Sequence, residues 1–172
     1  MRRSLDRLYN AAGVLAAFFM VATLVWVLIG IAGRTFHFYV RGTDAYAGYS
    51  MAAAGFLALA YTLRKGEHIR VTLLLHHSGR KAARALEIWS HAVGVLITAL
   101  LAFYSSKLAW QSYTFNDIST GNDATPLWIP QLAMAVGTAV LLIAMTDELV
   151  RILRRKRVDG HPDSPQEPMR ME

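Results

Sequence analysis

Cysteine is absent from the 172 residues, which excludes structural disulfides, thiolate metal sites and iron–sulfur clusters. Charge is scarce: 17% of residues are Asp, Glu, Lys or Arg against 54% hydrophobic, too little polar surface to cover a soluble globule of this length. Catalytic patterns are missing as well. There is no G-x-S-x-G elbow, Walker loop or intramembrane aspartate pair, Glu67-His68 lacks the i, i+4 histidine spacing of a zinc-protease helix, and His76 and His77 point different ways on a helix. Haem held between helices needs axial ligands at matching depth, and His91, near one end of an apolar run, cannot share a haem with His37, outside any run. The expectation is therefore no enzyme, no metal and no cofactor, with a b-type cytochrome anchor of a redox complex, or another small-subunit membrane scaffold, as the rival reading.

The few charges are clustered. Residues 8–33, 45–63, 88–106 and 124–146 contain no Asp, Glu, Lys or Arg, giving runs of 26, 19, 19 and 23 residues. A helix rises about 1.5 Å per residue and the hydrocarbon core is about 30 Å thick, so each run suffices for one crossing. None alternates apolar with polar at period two, which excludes a β-barrel. The first run exceeds the signal-peptide core of about 7 to 15 residues and no A-x-A site follows it, so it is read as a retained helix. The predicted fold is an all-α membrane domain over 1–157, with four spans near 8–32, 45–63, 85–113 and 126–150 and a disordered cytoplasmic tail over 158–172.

Lys and Arg mark the face that is not translocated. The N-terminus has three, the second connection six (Arg64, Lys65, Arg70, Arg80, Lys81, Arg84) and the tail six, whereas the first connection has two and the third, NDISTGNDATP, none. Both termini are thus expected in the cytoplasm. Juxtamembrane cations at Arg64, Lys65, Arg80, Lys81 and Arg84 suit anionic lipid head groups, which accounts for the pI near 9.9 without nucleic acid.

Within the spans, Gly48, Ala52 and Gly55 give the second helix a small-residue face that admits close approach by another helix of this chain or of a partner. IRVTLLLHHSG is too short to cross and reads as a short interfacial segment. The third helix has no breaker from Arg80 to about Tyr113, and His91, Thr98, Ser105 and Ser112 recur every seven residues as a polar seam that drifts only about 20° per repeat. Lys107 is an ionisable group inside a span. It either marks a functional position or snorkels towards the polar end near Gln111 and Asn116. Pro126 and Pro130 suit the start of the fourth helix, and Asp147 with Arg151 forms an i, i+4 ion pair near its end.

The stretch Gly66, His68, Ile69, Arg70, Val71 followed by leucines resembles the G-x-H-[IV]-R-V signature of the small membrane subunit of tripartite ATP-independent periplasmic (TRAP) transporters, the DctQ-like family. Arg34 after the first helix, Asp44 leading into the second and the four-span plan are similar to that family too. The chain departs from it at Thr72, where an aspartate usually follows the R-V pair. The resemblance implies a small permease subunit of a bacterial inner-membrane uptake system. A periplasmic binding protein would deliver a small organic anion, a large membrane subunit would move it with sodium, and this chain would brace that subunit. Sodium and substrate would bind elsewhere, consistent with spans that lack carboxylates and broken helices.

Overall fold

Residues 2–38, 40–64 and 80–154 are described by the structure, a computed structural model. They form four helices: α1 Arg2–Thr35, α2 Thr43–Arg64, α3 Arg80–Thr114 and α4 Trp128–Arg154. Each overlies one charge-free run of the sequence. Lys65, Gly66, His68, Arg70, Val71 and Thr72, the expected interfacial segment and the tail from 158 lie outside the described residues, and for Arg64, Arg80 and Lys81 only the backbone is described.

Three helices are long and apolar enough to cross a membrane: α1 over Leu5–Thr35, α3 over Arg84–Thr114 and α4 over Trp128–Arg154. At 31 residues the first two exceed the roughly 20 needed, so they must tilt or project. The 22 residues of α2 are also long enough, but Gly, Ser, Thr and Tyr dilute their apolar content.

The helices are not arranged in sequence order. α1 packs along α2, α2 along α4, and α4 along α3; α1 meets α4 only marginally, and α3 touches no other helix among the described residues. The result is an open row, α1–α2–α4–α3, in which α4 lies between two helices adjacent in sequence. Early α1 lies against late α2, where a Cβ on Gly13 would stand 2.8 Å from the Tyr61 ring, so that pair is antiparallel. By contrast, Ala60 of late α2 clusters with Val140 and Ala144 of late α4, so the central pair is parallel.

Small residues make these contacts. Nine of the fourteen buried apolar residues described are alanines, whereas Phe18, Leu24, Phe103 and Trp110 are exposed. Lipid removes the hydrophobic drive between helices, and close backbone approach supplies the packing instead. The tightest approach is at Gly137, where a Cβ would stand 2.7 Å from the carbonyl carbon and oxygen of Phe56 and 2.8 Å from its Cβ. Backbone atoms cannot rotate away as a side chain can.

Gly137→Ala should therefore overpack the α2–α4 crossing and cost about 1–3 kcal/mol. A Cβ on Gly55 meets nothing within 4 Å, so Gly55→Ala should leave stability unchanged or raise it by up to about 1 kcal/mol through helix propensity. Denaturation of the purified chain in detergent checks the contrast; equal effects would place the crossing elsewhere.

Candidate functional site

The polar machinery of the described chain gathers where the α1–α2 and α3–α4 connections meet, here termed the loop end. α3 stops at Asn116, which takes a left-handed conformation (φ 52°). The Asp117 amide donates to the Ser112 carbonyl (3.0 Å) and the Asn116 amide to that of Tyr113 (3.4 Å), the paired bonds of a Schellman ending. The chain then folds into a short hairpin: Ser119 N–H donates to Thr125 C=O and Leu127 N–H to Asp117 C=O, both at 2.9 Å.

Asp123 ties this hairpin to α2. Ser119 Oγ donates to its Oδ1 (2.8 Å), and the Tyr49 hydroxyl of α2 lies 3.0 Å from Oδ2 and 3.1 Å from Ser119 Oγ. The other connection closes over the same residue. Gly42 has φ 76°, and a Cβ there would stand 2.6 Å from the Asp123 Cβ, so both its backbone conformation and its neighbour require glycine. Tyr46 extends the weld to α1 by lying 4.9 Å from the Trp26 ring.

Desolvation acts to raise the Asp123 pKa, but hydrogen bonds from Thr125, Ser119, Tyr49 and its own backbone outweigh it and lower the value from 3.8 to about 2. A carboxylate held this firmly in its charged form is a brace, and it is poorly matched to proton transfer near neutrality.

The sequence-selected residues fall into separate places. Arg34 and Asp44 meet across the α1–α2 connection at 3.4 Å, with both side chains largely exposed. Gly48, Ala52 and Gly55 lie exposed along α2, and Cβ atoms on the two glycines would meet nothing within 4 Å. Of the two partners open to this face, the rest of the described chain does not occupy it.

Thr98, Ser105 and Ser112 are buried on α3, whose only helical neighbour among the described residues is α4, and His91 on the same seam is half-buried. The polar groups of three of them serve their own helix: Thr98 Oγ1 donates to Gly94 C=O (2.8 Å), Ser105 Oγ to Leu101 C=O (2.6 Å), and His91 Nδ1 lies 2.8 Å from Glu87 C=O. The seam thus works through size, with the Thr98 and Ser105 hydroxyls satisfied within the helix.

Lys107 and Arg84 are exposed. At the far end of α4, Arg151 pairs with Asp147 at 2.7 Å as expected and also with Glu148 at 3.1 Å, one turn away at i, i+3. No group of three or more His, Asp or Glu side chains among the described residues could hold a metal.

Sequence reasoning missed Gly42, Tyr49, Ser119, Asp123 and Gly137. The density of Asn, Asp, Ser, Thr and Gly in NDISTGNDATP was a turn signal, but it gave no indication that one aspartate would dock on another helix.

A family model described as "Tripartite ATP-independent periplasmic transporters, DctQ component" matches residues 23–155. No curated protein matches the chain.

Because folding depresses the Asp123 pKa, its stabilising contribution is complete above the unfolded value near 4 and is lost as pH falls through about 2. The difference in melting temperature between wild type and Asp123→Asn should therefore be full at pH 5 and vanish towards pH 2. A difference independent of pH would show that the charge is not what holds the hairpin.

Proposed function

We propose a function from one premise: the chain belongs to the DctQ component family of tripartite ATP-independent periplasmic transporters, which is a family of transporter components and not of enzymes. In this reading it is the small permease subunit. It braces the large membrane subunit while that subunit takes up a small organic anion, a carboxylate, with sodium, after delivery by a periplasmic binding protein. The chain sits in the bacterial inner membrane with α2 as a fourth crossing, both termini in the cytoplasm and the loop end in the periplasm. Fifteen of the 18 Lys and Arg residues fall in the N-terminus, second connection and tail, which supports that orientation.

The observation that carries the bracing role is the openness of the row. α1 and α3 each offer long apolar faces, and the notch formed by Gly48, Ala52 and Gly55 stays unfilled by the described chain. Small residues facing outward from a central helix suit a close-packed partner helix better than they suit lipid alone. Sodium and substrate sites are assigned to the large subunit, because no Asp or Glu lies in the central part of any of the four helices. Gly66, His68, Arg70 and Val71, with Thr72 beside them, are assigned to the cytoplasmic connection.

Tagged chain co-expressed with the large subunit should retain that partner, and Gly55→Leu should reduce its recovery several-fold while leaving the helical content of the small subunit intact. Alone in liposomes, the chain should give no uptake. Undiminished recovery of the partner with Gly55→Leu would remove the notch from the interface.

A further inference from the structure

At the loop end, where α1 gives way to the first connection, there is a cavity of about 500 Å³. Half-buried Ile29 and buried Gly33 line its depth, Phe38 and Val40 wall it, and Arg34 and Asp44, both largely exposed, stand at its rim. Ile29 and Arg34 are five residues apart, about 7 Å along the helix axis. That distance matches the interfacial layer between hydrocarbon and water, which is several Å thick on each face of a bilayer. The cavity therefore runs from the apolar end of a span to the polar boundary. Below Arg34 on the same side of α1, Val27 and Met20 follow at successive seven-residue steps, are exposed, and continue the apolar surface towards the membrane interior.

The rim has two features that bear on its ligand. First, Arg34 and Asp44 meet at 3.4 Å while largely exposed, so water weakens their attraction and both retain capacity for other hydrogen bonds. Second, the pair is neutral overall. A purely anionic group would gain from the guanidinium and be repelled by the carboxylate, whereas a zwitterion can satisfy both. A guanidinium matches phosphate oxygens in a two-point contact, and a carboxylate matches an ammonium.

We propose that this cavity is a lipid site for a zwitterionic aminophospholipid of the ethanolamine type. The phosphate contacts Arg34, the ammonium contacts Asp44, and the acyl chains descend along Val27 and Met20. The site needs only that α1 spans the bilayer, and does not depend on the transport reading above.

Native mass spectrometry of the full chain, released from nanodiscs containing equal phosphatidylethanolamine and phosphatidylglycerol, tests it. Wild type should retain the ethanolamine lipid over the glycerol lipid by about tenfold, the equivalent of one charge-assisted hydrogen bond. Asp44→Asn should bring that ratio close to one, since only the ammonium contact distinguishes the two lipids. Arg34→Gln should lower retention of both. The two substitutions are near-isosteric at exposed positions, and unchanged circular dichroism confirms that the fold survives. Added soluble phosphoethanolamine should displace nothing. Equal retention of both lipids by wild type, a ratio unmoved by Asp44→Asn, or displacement by the soluble zwitterion would each overturn the proposal.

Discussion

The backbone of α4 lies directly on the backbone of α2 where Gly137 meets Phe56, and the positions of the other helices follow from that crossing. With no Cβ to separate them, α2 and α4 form a close parallel pair at the centre of the row. α1 is then left to pack on the free side of α2, and α3 on the free side of α4. Neither flanking helix is enclosed. Each buries a narrow strip of small residues, such as Ala12 and Ala16 on α1 and Ala102 and Ala109 on α3, and leaves most of its large side chains outside, Tyr9 of α1 excepted. A soluble protein built this way would aggregate; in a bilayer, lipid covers such a surface, and the large subunit proposed as partner would cover part of it.

Two further fastenings keep the row from hinging about its central crossing. At the loop end, Asp123 lies against Gly42 and accepts from Tyr49, which joins the α3–α4 connection to the α1–α2 connection and to α2. Towards the other end, Tyr9 of α1 is buried among Ala60 of α2 and Val140 and Ala144 of α4, the place where three helices share one cluster. The bracing role proposed above calls for this kind of rigidity across the width of the row.

The helices themselves were legible in the sequence because charges cannot be left in hydrocarbon, so the gaps between charges measure the spans. The unbroken length of α3 was legible for another reason, the lack of any breaker from Arg80 to about Tyr113, and the helix ends at Thr114. The order of the helices was not. Residues that face lipid and residues that face another helix are equally apolar, so hydropathy does not distinguish them. This is why Gly48 and Gly55, in a helix rich in small residues, look like packing positions yet face open space. Gly137 stands among leucines and valines and makes the closest helix-to-helix contact among the described glycines. The brace at Asp123 was hidden for a different reason: its partners, Tyr49 and Gly42, are more than seventy residues away in the chain. The signature around Gly66, His68, Arg70 and Val71 identified the family from sequence, and it lies outside the described residues.

The central claim is the order of the row and the parallel crossing within it. Because the chain has no cysteine, introduced pairs are the only thiols present, and disulfide trapping in native membranes reads proximity directly. Pairs scanned between residues 53–60 of α2 and 134–144 of α4 should trap in parallel register about Phe56 and Gly137, while pairs between α2 and residues 98–105 of α3 stay reduced. Efficient trapping of α2 to α3, or an antiparallel register between α2 and α4, would contradict the arrangement.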